Sequence, residues 1–232
     1  MADTIYSIPI NESFDKECGC PLCRVHNDLE KSSLEYIMGA AMMDPEIRQE
    51  TNRLGFCRYH SEKMYSMKNR LALSLTLQTR LRYICELLSA NGDGGRSVFG
   101  RKSPQQDVLF SAADDCYVCR RVASFDEKII SNTIHLWKTD SAFRKKFCRQ
   151  PFFCLEHTSA LLKAASASLS KAVYADFRRD LSSVCLSHAE ALDEALSGFI
   201  ASFDHRNAGI PLTEKQRSSA EDAIKFLTGC SS

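Results

Sequence analysis

One pattern occurs twice in this chain, and it constrains the fold more than any other feature. The first copy is Cys20-Pro21-Leu22-Cys23, followed at a distance by Phe56-Cys57-Arg58-Tyr59-His60. The second is Cys116-Tyr117-Val118-Cys119, followed by Phe153-Cys154-Leu155-Glu156-His157. From the second cysteine to the third the separation is 34 residues in the first copy and 35 in the second. Each copy supplies three thiols and one imidazole, the ligand set of a closed tetrahedral zinc site. The expected sites are therefore Cys20, Cys23, Cys57 and His60 in one module, and Cys116, Cys119, Cys154 and His157 in the other.

The spacing has a mechanical meaning. Residues at i and i+3 share one face of a helix, so each Cys-x-x-His offers a two-toothed grip at a helix start. A Cys-x-x-Cys turn does the same at the start of the preceding helix. Four such teeth around one ion would clamp two helix N-termini together. Helix N-termini present free N–H groups and partial positive charge, which favour thiolate over thiol. Arg24, Arg58 and Arg120 lie beside the ligands in sequence and could add to this field. Structural zinc contributes roughly 10–16 kcal/mol of apparent binding energy in small peptides. Buried cysteines near core histidines would explain single residues but not the repeated order. Two zinc ions per chain are expected. Three cysteines and one histidine could instead hold an iron–sulfur cluster.

Composition narrows the rest. At 232 residues the chain can bury a real core, so metal is not needed merely to rescue a tiny fold. The formal net charge is +1, far from the strong positive field of a nucleic-acid binder. Lys145, Lys146 and Arg149 make a small basic cluster that reads as a solvated face. No apolar run is long enough to cross a bilayer, and the N-terminus lacks a signal-peptide layout. The expected compartment is the cytoplasm. Eleven cysteines is an odd number, so complete internal disulfide pairing is impossible. In a reducing compartment such clustered thiols read as metal ligands or reactive groups.

Taken in order, residues 5 to 16 read as an irregular arm, with Pro9 blocking helix continuation. A helix is expected over about 21–43, then a short one opened by Asp44-Pro45-Glu46 and closed by Gly55. From Cys57 a long helix should run to about Leu88, with Met64, Met67, Leu71, Leu75, Leu81 and Leu88 as a core stripe. Glycines 92, 94, 95 and 100 with Pro104 mark a linker. The second copy repeats the plan with a helix over about 117–138 and a short one opened by Asp140. The helical pattern after His157 reaches about Phe203, with a break expected near Asp180–Ser183. A last helix opens on the capping-box pattern Thr213-Glu214-Lys215-Gln216 and stops at Gly229. No strand is expected. The fold class is all-α: a helical bundle of two pseudo-repeated modules, 17–90 and 113–180. A linker over 91–112 joins them, and the C-terminal helices occupy 181–232.

Weaker candidates surround the main pattern. Cys18 could replace Cys20 as a ligand, although Cys20 matches Cys116 better. Cys185-Leu186-Ser187-His188 could be half of a third site with Cys148, but an ordinary helix face is the better reading. Cys85 reads as a core residue and Cys230 as a tail thiol. Phe203-Asp204-His205-Arg206-Asn207 reads as a polar cap at a helix end.

These elements resemble an uncharacterised bacterial family, common in anaerobic Firmicutes and known only as a domain of unknown function. The resembling residues are Ile8-Pro9-Ile10-Asn11, Cys20 to Cys23, Gly55-Phe56-Cys57 to His60, Leu136-Trp137-Lys138 to Phe147, Phe153-Cys154 to His157, and Phe203 to Arg206. The resemblance covers about residues 8–229. It implies the paired Cys/His elements and carries no activity.

With all four positions of each site filled by protein, no place is left for a substrate water. No phosphate loop, nucleophile elbow or H-E-x-x-H is present. The expected function is a non-catalytic zinc protein, an interaction or regulatory module with a protein partner and neither membrane nor nucleic acid. The alternative is an iron–sulfur or thiol-redox protein, for which Cys18, Cys148 and Cys185 supply surplus thiols.

Overall fold

The computed structural model of the protein describes residues 4–92, 115–207 and 209–230. Among the described residues every regular element is helical, as expected. α1 spans Thr4–Phe14, α2 Pro21–Ile37, α3 Pro45–Leu54, α4 Arg58–Ser66 and α5 Arg70–Gly92. α6 spans Tyr117–Thr139, α7 Ser141–Cys148, α8 Leu155–Ser168, α9 Lys171–Ala201 and α10 Glu214–Thr228. Short 3-10 turns occupy Ala40–Met43 and His205–Asn207. The linker expected over 91–112 lies, beyond Gly92, outside the described residues.

The helix boundaries follow local chemistry. Asp44 caps α3, accepting from the backbone N–H groups of Glu46 and Ile47, with Pro45 at the first helical position. Asp140 caps α7 in the same way through Ala142 and Phe143. Thr213 and Gln216 close a reciprocal capping box on α10. The expected polar cap at 203–207 is present, with Arg206 folded onto the Asp204 carboxylate.

Four expectations are corrected. Residues 4–14 are a helix despite Pro9, because burial of Ile10 and Phe14 on one face outweighs one lost hydrogen bond. The long helix from Cys57 is two helices, α4 and α5. They are separated at Lys68, which adopts positive φ, and Asn69, whose side chain accepts from Ala72 N–H at 3.2 Å. The break after His157 falls at Leu169–Ser170 rather than Asp180–Ser183. Asp180 stays inside α9 because its carboxylate accepts from Trp137 Nε1 and Arg144 Nε. The leucine stripe of α5 is not core. Leu71, Leu81 and Leu88 are exposed, and the inward face is Ala72, Leu73 and Thr76. Thr76 can be buried because its hydroxyl donates to the Ala72 carbonyl at 2.9 Å.

The chain forms two compact units: Met1–Asp28 with Asp126–Ser232, and Leu29–Phe125. The first has an aromatic core in which Phe14, Phe143, Phe147, Phe153 and Phe177 are fully buried. Phe14 meets Phe143 at 4.8 Å, and Phe147 meets Phe153 at 4.6 Å. Each such ring contributes roughly 1.5–3 kcal/mol by burial. The second unit packs Leu34, Ile37, Met38, Leu54, Met64, Ala72 and Leu73 against Tyr117, Val118 and Val122.

Candidate metal centres

The eight expected donors gather into two clusters, with their pairing exchanged. Cys20 and Cys23 join Cys154 and His157, and Cys57 and His60 join Cys116 and Cys119. The expectation of one closed site inside each sequence copy is therefore corrected. Each Cys-x-x-Cys meets the Cys-x-x-His of the other copy.

Local contacts fix the partners. In the first cluster Phe14 sits in the aromatic core around Phe153 and accepts from Gln150 Nε2 at 2.8 Å. Ser13, next to Phe14, donates its hydroxyl to the Pro21 carbonyl at 2.7 Å, seating Cys20 and Cys23 beside Cys154. In the second cluster Tyr117 N–H donates to the Gly55 carbonyl at 2.9 Å. Gly55 stops α3 at φ +67°, a turn only glycine makes without strain, and a Cβ there would press on the Arg80 guanidinium.

Both clusters draw on helix starts. Cys57 and Cys154 are the N-cap residues of α4 and α8, with His60 and His157 in the first turns. Cys20 and Cys116 immediately precede α2 and α6. In the first cluster His157 Nδ1 stands 3.7, 3.4 and 3.1 Å from the sulfurs of Cys20, Cys23 and Cys154. The Cys23 and Cys154 sulfurs are 3.5 Å apart. In the second, His60 Nδ1 stands 3.2, 3.3 and 3.4 Å from Cys57, Cys116 and Cys119, and Cys57 to Cys119 is 3.9 Å. A tetrahedral ion with bonds of about 2.3 Å to sulfur and about 2.0 Å to nitrogen needs edges of about 3.8 Å and about 3.5 Å. The donors fit one ion in each cluster.

Electrostatics fit the same occupant. Burial opposes charge on Cys116, but hydrogen bonds from His60 and from the backbone at Cys119 and Cys57 bring its thiol down to about 6. Cys119 is pushed up to about 12 by burial and by the negative charge of Cys116. In the first cluster Cys20 goes down, its burial outweighed by hydrogen bonds from Cys154, Cys23 and His157, while Cys23 goes up beside Cys154 and Cys20. Against burial, the neighbouring sulfurs raise His60 to about 9 and His157 to about 10. Three sulfurs at these distances cannot all carry charge unless a cation lies among them.

The surroundings hold residues that the motif does not reveal. His60 Nε2 donates to Glu30 Oε1 at 3.0 Å, and Lys63 pairs with the other carboxylate oxygen. Desolvation of Glu30 is outweighed by Lys63 and His60, which hold its carboxyl below the ordinary range. A carboxylate behind a ligating imidazole fixes its orientation and raises its basicity. Among the described residues no carboxylate hydrogen-bonds His157. The first cluster is instead covered by the C-terminal tail. Cys230 N–H donates to the Cys23 sulfur at 3.3 Å, and a Cβ on Gly229 would lie 3.7 Å from that sulfur. Glu30 had a readable signal: it shares an i, i+4, i+7 stripe with buried Leu34 and Ile37, where an acid needs a partner.

Other candidates fall away. Arg58 pairs with Glu62 and Arg120 with Asp115. Arg24 binds the Cys18 sulfur and carbonyls of residues 13, 16 and 18. Cys185 contacts Thr158 and the Phe153 carbonyl, and His188 stacks on Phe152 at 4.3 Å. Neither joins a third cluster among the described residues. Cys85 is exposed, not core.

A helical protein with two clusters of three thiols and one imidazole, each sized for a single ion, belongs to the class of candidate metalloproteins. The chain is a member of DUF6062, a family of unknown function whose profile matches residues 1–232. Comparison with curated proteins and with solved structures gives no match.

Proposed function

We propose that the protein is a non-catalytic zinc-binding scaffold, holding two structural ions per chain and acting as an interaction or regulatory module in the cytoplasm. The observation that carries this reading is the pair of four-donor clusters, with sulfur–nitrogen separations of 3.1–3.7 Å. Zinc suits a closed set of sulfur and nitrogen donors. An iron–sulfur core would place several atoms between the ligating sulfurs, and separations of 3.5 and 3.9 Å favour a single ion. Cys20, Cys23, Cys154 and His157 would hold one ion, and Cys57, His60, Cys116 and Cys119 the other. Bound there, zinc supplies crosslinking between helix starts. With four protein donors no coordination position remains for substrate.

The exposed leucines Leu77, Leu81 and Leu88, which share one face of α5, support a protein partner, since exposed apolar surface on one helix face suits docking. No described helix is long and apolar enough to cross a membrane. The near-neutral charge argues against nucleic acid. The test is elemental analysis with an absorption spectrum on anaerobically purified protein. Two zinc ions per chain without a visible band are expected. Iron with a broad band near roughly 400 nm, as an iron–sulfur cluster would give, overturns the reading.

A further inference from the structure

Burial divides the two clusters sharply. The sulfurs of Cys20, Cys23 and Cys154 belong to residues 2, 4 and 0 % exposed. In the second cluster Cys119 is exposed and Cys57 half-buried, while Cys116 and His60 are enclosed. The two accessible sulfurs are also neighbours, 3.9 Å apart on different helix starts. Cys57 is an N-cap residue with extended backbone, so closing to a disulfide length of about 2 Å does not require a helical turn to unwind.

We infer that Cys57 and Cys119 form a hydroperoxide-reactive dithiol, whose oxidation opens the second metal site and leaves the first closed. The inference rests on the zinc reading above. The Cys119 sulfur, a thiolate when zinc occupies the cluster, attacks the outer peroxide oxygen; the O–O bond breaks, an S–O bond forms, and alkoxide or hydroxide leaves. Cys119 is then a sulfenic acid. The Cys57 thiolate attacks that sulfur, the S–O bond breaks, and hydroxide leaves as the disulfide forms. Two thiolates thus lose two electrons, and the peroxide gains them. Cys116 and His60 remain as two donors, too few for a closed zinc site. Glu30 still holds the His60 ring in place, so a dithiol reductant and zinc can rebuild the site. Oxidation of cysteine follows thiolate character and access, and the first cluster lacks the access.

Other exposed thiols are Cys18, Cys85 and Cys148, none of them in either cluster. The experiment therefore uses two zinc-loaded full-length proteins, the wild type and the triple variant Cys18→Ser, Cys85→Ser, Cys148→Ser. Each is treated with hydrogen peroxide beside a chromogenic zinc chelator, alkylated, and mapped by mass spectrometry. The expected result in both is release of one zinc per chain, at least about tenfold faster than the second because access governs oxidation. A Cys57–Cys119 disulfide should form at the same rate, and dithiothreitol with zinc should reverse it. Loss of both ions at one rate overturns the inference. So does retention of both ions while thiols oxidise, or a first crosslink through Cys20, Cys23 or Cys154. A protein that holds no zinc before peroxide is added refutes the zinc reading itself, which is a separate result.

Discussion

The two clusters present the same four donors to a metal and secure them by different physical means. The first relies on packing. Its sulfurs are enclosed, Cys154 follows the fully buried Phe153, and a backbone N–H from the C-terminal tail covers Cys23. The second relies on a polar network. Its rim is open at Cys119, and its one histidine is braced by the buried Glu30 and Lys63. A donor motif therefore defines what a site binds, while the residues behind it decide how firmly the ion is held and which reagents reach it.

The largest effect should come from removing one thiolate from each cluster in turn. Cys154→Ser strikes a donor joined directly to the aromatic core. It should remove much of the roughly 10–16 kcal/mol that a structural zinc supplies. At about 2–4 °C per kcal/mol for a chain of this size, the melting temperature should fall by roughly 10 °C or more. Cys57→Ser, at the open rim, should lower it less. Calorimetry on the two zinc-loaded variants decides the matter, and equal melting would erase the distinction between packed and braced sites.

The brace itself is tested by Glu30→Gln. Glutamine retains an acceptor for His60 but loses the charge that supports the imidazole and pairs with Lys63. Affinity at the second cluster should fall by about 10–100-fold, the usual result of removing such a carboxylate. The first cluster should be unchanged in the same chelator competition. A parallel loss at both clusters would mean that Glu30 supports the fold rather than the ligand. A smaller effect is expected in the first cluster when residues 229–232 are deleted. This removes the Cys230 N–H bond to Cys23, along with the Asn27 side-chain bond to the Cys230 carbonyl at 2.9 Å. One net hydrogen bond of about 1 kcal/mol is roughly fivefold in an equilibrium constant. Zinc transfer to a chelator from the first cluster should be favoured by that factor and from the second not at all.

Much of this contrast was hidden in the sequence, for identifiable reasons. The eight donors were legible because their spacing repeats. Asp44, Asp140 and the Thr213–Gln216 box were legible because capping is local chemistry. Which Cys-x-x-Cys meets which Cys-x-x-His was not, since all four pairs look alike. The answer lies in two distant bonds, Tyr117 to Gly55 and Gln150 to Phe14. The outward turn of Leu71, Leu81 and Leu88 was missed because periodicity locates an apolar face without saying what covers it. Glu30 belongs to no motif, and its only signal is an acid placed on the apolar stripe of Leu34 and Ile37.

The smallest effect separates the two units by a route that does not involve metal. His188 lies in the unit of the first cluster, stacked on Phe152 and facing Phe226 at 5.4 Å, with Nε2 buried and unpartnered among the described residues. Burial pushes its imidazole below the ordinary value, against an opposing pull from Asp222. The folded state therefore holds this proton less tightly than the unfolded chain does. The stability contributed by the neutral ring is complete above the ordinary imidazole value of about 6.5 and is lost as pH falls from there through the lowered folded value. His188→Phe keeps a ring in the stack and removes the titration. The difference in melting temperature between the zinc-loaded wild type and this variant should be constant above neutrality. Below about pH 6.5, the ordinary imidazole value, it should widen against the wild type, with a steepness of less than one proton. A difference that stays flat down to pH 5 would show that the stacked imidazole gains its proton without cost. Acid would then loosen the packed unit only through its metal site, as it does the braced one.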